Sequence, residues 1–197
     1  MYKNSKQSIP FINLLLLVMG FLAQSTMQMP CNFNKLCFCT NYQDENIIQE
    51  VNCIGVPMIS LDQIPKNHYY RIGIRGARDI RQLKNNELKN ISVSSLSLSK
   101  TRLSLIEPFA FSGLEQALTA LELSHGNIKE FPSESLSSLQ HLQWINLRGN
   151  EIEKVNRRDF KKLISLKSLL LSDNSLSVIE DQTFKDIINL EYLELDD

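Results

Sequence analysis

Apolar residues recur at fixed intervals along the chain, and the set of intervals itself repeats every 24 residues. In one unit, the apolar positions 1, 4, 6, 11, 14, 19 and 22 are Leu142, Ile145, Leu147, Ile152, Val155, Phe160 and Leu163. In the next unit they are Leu166, Leu169, Leu171, Leu176, Ile179, Phe184 and Ile187. Units that begin at Val93 and Leu118 match the same positions, with one extra residue between them, and Leu190 opens a further unit. Positions 4 to 6 predict a short strand in every unit, and the fixed period predicts a solenoid.

The pattern is less regular before Val93. A unit that starts at Tyr69 lies 24 residues upstream, but Ala77 stands where later units carry Asn, and the apolar residues after it are displaced by one. We interpret this segment as a degenerate repeat. Residues 51–53 and 64–65 lie where a cap is expected, because a solenoid otherwise exposes the edge of its first strand.

Two buried columns are predicted inside the solenoid. Asn150 and Asn174 share position 9, where a buried side-chain amide can hydrogen-bond the backbone of adjacent turns and form a ladder. Thr101 and Gly126 stand at this position in earlier units, whose turns are therefore expected to be less regular. Position 19 supplies a column of large apolar side chains, namely Phe111, Leu136, Phe160 and Phe184.

Four cysteines are grouped near the N-terminus, at Cys31, Cys37, Cys39 and Cys53, and no cysteine follows them. In an exported chain, an even number of cysteines favours disulfides over metal binding. Four thiolates in one short segment also suit a tetrahedral zinc ion, but there is no Cys-x-x-Cys pair and an extracellular environment is oxidising. The spacing alone leaves three disulfide connectivities open.

Together, the repeats and the cysteine group resemble extracellular leucine-rich repeat proteins of the 24-residue type with a cysteine-bearing N-terminal cap, as in Slit, Toll-type receptors and small matrix proteoglycans. The resemblance implies an α/β-type leucine-rich repeat solenoid, with short parallel strands on a concave face and an irregular or 3-10 convex side. It also implies the pairs Cys31 with Cys39 and Cys37 with Cys53. The five-residue gap between the first two cysteines, and Pro30 before the first of them, depart from the family's pattern.

The chain is expected to contain three segments. Residues 1–25 are predicted to be a signal peptide, with a basic start, an apolar run and a cleavage site after Ser25. The alternative is an uncleaved membrane anchor, although the apolar run is short for a membrane span. Residues 26–65 form the cap. Residues 66–197 contain about five repeats and the start of another, without a C-terminal cap. We expect a secreted protein, or a cell-surface ectodomain if the chain is a fragment, with membrane attachment only through a missing C-terminal region.

Charge is unevenly distributed although the net charge is only −1. Residues 66–102 carry nine Lys or Arg and two acidic residues, whereas residues 103–197 carry nine Lys or Arg and sixteen acidic residues. The solenoid is therefore expected to be basic at its N-terminal end and acidic at the other. The basic residues on or beside the predicted concave strands are Arg71, Arg75, Lys100 and Arg102. The alternative is a solvated surface without a ligand.

An aromatic and polar patch is predicted further along the concave face. Trp144, the only Trp, and Tyr192 both fall at position 3, next to inward-facing residues. Exposed aromatic side chains are frequent binding hot spots. His125, Asn146 and Arg148 are expected close to them across neighbouring strands. The alternative for Trp144 is packing on the flank of its own repeat.

The sequence contains no recognisable catalytic or cofactor-binding motif, and its three His residues have no matching nucleophile near them in sequence. We therefore predict no enzymatic activity, no cofactor and no metal site. We expect a module that recognises an extracellular protein through its concave face. The alternative is a matrix component that binds glycans or fibrous protein through the basic N-terminal end. Nucleic acid is not an expected partner.

One glycosylation sequon with an allowed middle residue occurs, at Asn90-Ile91-Ser92. In an exported chain this makes Asn90 a candidate glycan site. The alternative is an unmodified Asn in a tight return.

Overall fold

The computed structural model describes residues 28–41, 48–56, 59 and 61–196, and the predicted signal peptide, residues 1–25, lies outside them. Within these ranges the chain forms thirteen short strands, two one-turn α-helices and one 3-10 helix. The strands are β1 (Gln28–Pro30), β2 (Cys37–Thr40), β3 (Glu50–Ile54), β4 (His68–Arg75), β5 (Gln82–Leu83), β6 (Ser92–Ser99), β7 (Leu105–Ile106), β8 (Ala120–Glu122), β9 (Trp144–Asn146), β10 (Lys154–Val155), β11 (Ser168–Leu170), β12 (Val178–Ile179) and β13 (Tyr192–Glu194). The helices are α1 (Ser133–Leu136), α2 (Arg157–Phe160) and the 3-10 helix Leu61–Gln63.

Nine strands form one sheet in the order β1-β2-β3-β4-β6-β8-β9-β11-β13. From β3 onward, neighbouring strands are parallel, because each repeat returns the chain to the same end of the sheet before the next strand begins. β1 and β2 pair in antiparallel fashion and extend the sheet at its N-terminal end. The predicted leucine-rich repeat solenoid is confirmed.

The core lies behind this sheet and is built from the inward residues of successive strands. Leu96, Leu121, Ile145 and Leu169 stand in register on β6, β8, β9 and β11, and none of them is more than 1% exposed. Because every repeat contributes the same positions, the core continues from one turn to the next without interruption.

The convex return segments are mainly turns, with two short parallel pairs, β5 with β7 and β10 with β12. The helix α2 begins at a capping box, in which Asn156 accepts from the backbone N–H of Arg158 and donates its own backbone N–H to Asp159. The sequence predicted an irregular or 3-10 convex side. The one-turn α-helices are an addition to that prediction, and the capping box explains α2 because it satisfies the free donors of the first turn.

The predicted asparagine ladder is present. The side-chain amide of Asn150 donates to the carbonyl oxygens of Leu123 and Leu147, both at 2.8 Å, and its Oδ1 accepts from backbone N–H groups of the preceding turn. Asn174 repeats this arrangement one unit later. Each side-chain amide, buried at Asn150 and partly buried at Asn174, therefore connects two successive turns through their backbones.

The two earlier units lack this amide, as their sequences indicated. Thr101 is buried, and its hydroxyl oxygen accepts only a 3.3 Å bond from the backbone N–H of Leu103. Asn127, one residue late, is exposed and donates to Glu151 instead. The backbone N–H of Gly126 is satisfied by the Asn of the following unit.

The aromatic column differs from its prediction in one member. Phe160 contacts Phe184, with ring centroids 5.2 Å apart, and it contacts Phe131 at 4.8 Å. Phe111 and Leu136 are buried as expected. Phe131 falls at position 14 of its unit, not at position 19, yet its ring contacts Phe160 in the column.

The cap closes the N-terminal end of the core with two disulfides, Cys31–Cys39 and Cys37–Cys53. This is the pairing that the family resemblance implies. Cys37 stands opposite Cys53 across β2 and β3, and all four cysteines are buried.

Candidate ligand-binding face

The side chains that the nine-stranded sheet directs away from the core form one continuous surface, called here the open face; the sequence analysis predicted it as the concave one. Residues in register across neighbouring strands form rows on it. From β3 onward, the first row is Glu50, Arg71, Ser95, Ala120, Trp144, Ser168 and Tyr192. The second row is Gly73, Ser97, Glu122, Asn146, Leu170 and Glu194.

An aromatic segment occupies the C-terminal half of the open face. Trp144 is half-buried, and its neighbours in the row, Ala120 and Ser168, are small. Tyr192 lies two strands away, a spacing of about 10 Å, and is 53% exposed. Leu170 lies beside them in the second row. The two predicted aromatic residues therefore lie on the same face and in the same row, with Ser168 between them.

A depression of about 340 Å³ occupies the N-terminal half of the open face. Five of the residues that the sequence analysis selected line it, namely Arg71, Arg75, Lys100, His125 and Asn146. They come from four neighbouring repeats. Arg102 is not part of its lining; its backbone N–H donates to the carbonyl oxygen of Ile80 in the preceding repeat.

Glu122 is the acidic residue in the lining of this depression. Its two carboxylate oxygens accept hydrogen bonds of 2.7 Å from the hydroxyl groups of Ser97 and Ser124. These bonds hold the carboxylate against the sheet.

A left-handed backbone conformation follows the strands at the same position of successive repeats. Lys100, His125 and Asp173 each have φ near +53°, and Gly76 and Gly149 occupy the equivalent position with φ of +81° and +68°. Non-glycine residues adopt this conformation at a cost of about 1 kcal/mol. The turn places Lys100 and His125 at the edge of the open face. In the sequence, Gly76 and Gly149 indicated this left-handed turn.

Arg148 is held by acidic residues of the following repeats. Its Nε donates to Asp173 Oδ2 at 2.8 Å, and its Nη1 lies 3.4 Å from Glu194 Oε1. The hydrogen bond to Asp173 raises the pKa of Arg148 above its already high ordinary value. The charge of Arg148 is therefore partly neutralised within the protein.

Two further groups at this end of the open face have shifted pKa values. The hydroxyl of Tyr192 donates to Glu194 at 3.0 Å, and this bond raises the pKa of Tyr192. Ser172 donates to Asp196 at 2.8 Å, which lowers the pKa of Asp196. Asp196 is therefore ionised at neutral pH.

Sequence reasoning missed an apolar ledge formed by Phe38 and Ile54 in the cap. Phe38 stands opposite Asn52, which is in register with Gly73, and Ile54 is in register with Arg75. Their side chains are 43% and 69% exposed. The alternation of buried Cys37 and Cys39 along β2 was the signal that Phe38 points to the open face.

Within the described ranges, no three His, Cys, Asp or Glu side chains are grouped so that they could hold a metal ion. All four cysteines are in disulfides. No helix in the same part of the chain combines the length and the apolar character that crossing a bilayer requires.

Comparisons with known proteins agree with this architecture. The family model described as Leucine rich repeat matches residues 91–152 and 116–176. Toll-like receptor 3 of Boselaphus tragocamelus is 40% identical over 86 residues, which are 43% of this chain and 10% of that protein. Chaoptin of Drosophila melanogaster is 28% identical over 125 residues, which are 63% of this chain and 9% of chaoptin. The matched region thus spans about a tenth of the length of these relatives.

A solved structure is also similar, the crystal structure of a TLR13–ssRNA13 complex. It aligns with a TM-score of 0.55 and 26% identity over 68% of this chain and 23% of that one. That protein is in complex with ssRNA, so the prediction that nucleic acid is not a partner gains no support from it.

Proposed function

We propose that this chain, a solenoid of leucine-rich repeats with a cysteine-bearing N-terminal cap, recognises an extracellular protein ligand through its open face. The similarity to Toll-like receptors supports a receptor-type role in ligand binding. The relatives that match are receptors and a cell-surface protein, which supports a non-enzymatic role in the extracellular space.

The observation that carries this proposal is the row of small and aromatic side chains around Trp144. Ala120 and Ser168 place small side chains on both sides of Trp144 in the row, and Tyr192 follows Ser168. Large aromatic side chains beside small residues provide contact area at a low cost in side-chain entropy, which is typical of binding hot spots. The Asn90 sequon lies just before β6, two strands away from Trp144 on β9.

The test uses the full chain, secreted from a eukaryotic host, and a phage-displayed library of random peptides as the source of ligands. Peptides enriched on the unmodified chain should bind Trp144→Ser and Tyr192→Ser variants at least about ten-fold more weakly. Phe109→Ser is the matched control, because Phe109 is 63% exposed but does not belong to the sheet. If the peptides lose binding to Phe109→Ser but keep binding to Trp144→Ser and Tyr192→Ser, the ligand binds elsewhere and the proposal is refuted.

A second function has one observation in its favour. Arg71, Arg75 and Lys100 line the same depression, so the basic end offers a compact site to a sulfated glycan, as a matrix component would require. Binding of heparin that weakens steeply between low and physiological salt, and that does not depend on Trp144, would favour this alternative. Binding that depends on Trp144 and responds weakly to salt favours protein recognition.

A further inference from the structure

Three cations border the depression, and carboxylates of the protein engage them less than they engage Arg148. Among the described residues, Arg71, Arg75 and Lys100 take part in no salt bridge, whereas Arg148 in the other half of the open face pairs with two acids. Three positive side chains around one recess create a local potential that attracts an anionic group. Two carboxylates lie nearby. Glu122 is in the lining, where its oxygens accept from Ser97 and Ser124, and Glu50 on β3 is the in-register neighbour of Arg71.

The floor of the depression is shaped to admit a small group. Gly73 leaves the second row without a side chain at its centre, and a Cβ there would lie 2.8 Å from Asn52 Oδ1. On the adjacent strand, Ser99 lines the recess with a hydroxyl group that can donate to an anion, whereas the hydroxyl of Ser97 already donates to Glu122. The recess is therefore open, polar and bordered by cations.

The apolar ledge is adjacent to the same recess. Ile54 is the in-register neighbour of Arg75, and Phe38 lies in the row of Gly73, two strands away. Exposed apolar side chains next to unpaired cations fit a ligand that presents an acidic and an apolar group close together.

We propose that the depression binds an acidic side chain of an extended segment of the protein ligand, while a neighbouring apolar side chain of that segment packs on Phe38 and Ile54. The inference rests on the proposed function and names the ligand chemistry for one part of the open face. Arg71, Arg75 and Lys100 supply the charge, and Gly73 supplies the space.

The charge of the rest of the open face favours a peptide over a long polyanion. Glu122 stands in the lining of the depression, and Glu194, Asp173 and Asp196 lie further along. A sulfated glycan or an ssRNA that continued along the face would meet these carboxylates, and juxtaposed like charges are costly. A peptide with one local acidic group avoids them.

The test uses three phage sub-libraries of random octapeptides whose central pair is fixed as Asp-Leu, Asn-Leu or Asp-Ser. On the full chain, the Asp-Leu sub-library should be enriched about ten-fold over each of the others. The Arg71→Ala, Arg75→Ala double variant and the Gly73→Leu variant should both abolish that preference, the first by removing charge and the second by filling the recess. Arg102→Ala is the matched control and should preserve it, because Arg102 lies outside the depression.

Equal enrichment of the three sub-libraries, or an Asp-Leu preference that survives both variants, would overturn the inference. If binding of the enriched peptides still depends on Trp144 in that case, the proposed function stands and only the inferred ligand chemistry is wrong. If binding does not depend on Trp144, both the proposed function and this inference fail. Heparin and poly(U) are included as polyanions. Tighter binding of either one through the same three cations, with a steep salt dependence, would also overturn the peptide assignment.

Discussion

The side-chain amide of Asn150 donates a 2.8 Å hydrogen bond to the carbonyl oxygen of Leu123, which lies 27 residues earlier in the chain. The same nitrogen donates to Leu147, and Oδ1 accepts from the N–H groups of Gly126 and Ile128. One residue, only 7% exposed, therefore joins two successive repeats through four hydrogen bonds.

Replacing this amide should destabilise the fold more than any surface change of the same size. We expect Asn150→Ala to lower the free energy of unfolding by about 2 kcal/mol or more, because buried backbone groups lose their partners. Asn127→Ala is the control; its side chain is exposed, and we expect a loss of about 0.5 kcal/mol or less. Urea unfolding measures both, and equal losses would show that the ladder does not stabilise the solenoid.

The aromatic column should be equally sensitive. Phe160 is fully buried between Phe131 and Phe184, so Phe160→Ala should cost about 3–5 kcal/mol through the cavity that it leaves. Phe109→Ala removes an exposed ring and should change the midpoint of thermal unfolding little. A small effect at Phe160 would mean that the assigned register of the repeats is wrong.

Stability should decline at alkaline pH because of Tyr69. Burial raises the pKa of Tyr69 above 10.0, and its hydroxyl donates to the carbonyl oxygen of Pro65 at 2.7 Å. The unfolded chain ionises this group near pH 10, whereas the folded chain keeps it neutral. Its contribution to stability is therefore complete below the unfolded-state pKa and is lost as pH rises through the folded-state pKa.

Tyr69→Phe isolates this effect. The variant should lose about 1 kcal/mol near neutral pH with the hydrogen bond, and its stability should fall less than that of the unmodified chain above about pH 10. Tyr70→Phe is the control, since Tyr70 is 61% exposed. Urea unfolding as a function of pH makes the measurement; superimposable pH curves for the two variants would contradict the assignment to Tyr69.

Asn90 should carry a glycan when the chain is secreted. It is exposed just before β6, so an oligosaccharide can project into solvent. Asn90→Gln should abolish the mobility shift that a glycosidase produces in the unmodified protein. Asn86→Gln, an exposed Asn outside any sequon, should leave that shift intact, and an unmodified chain without any shift would refute the site.

The sequence predicted the parts of the fold that depend on repetition. Leu121, Ile145 and Leu169 recur at the same unit position, and the structure places them in register because each repeat must bury the same face. The Asn ladder followed for the same reason. Periodicity also fixed the faces of Trp144 and Tyr192, which explains why their common row could be expected.

Other features depended on contacts that no period encodes. Phe131 contacts Phe160 from a different position of the repeat. The ledge of Phe38 and Ile54 lies in the cap, where the repeat pattern is absent. The pairing of Arg148 with Asp173 depends on side-chain geometry across two repeats. The sequence shows how far apart these residues are along the chain, but not how close their side chains lie in the fold.

The measurement that tests recognition through the open face most directly is a steric block on the row of Trp144. In the test variant, Ser168→Asn combined with Leu170→Thr completes a glycosylation sequon between Trp144 and Tyr192. In the control variant, Asp181→Asn completes a sequon with Gln182 and Thr183, outside the strands of the sheet. With occupancy of both sequons verified by mass, peptides selected on the unmodified chain should lose binding to the first variant and keep it on the second. Undiminished binding to the chain with the glycan beside Trp144 would contradict the account.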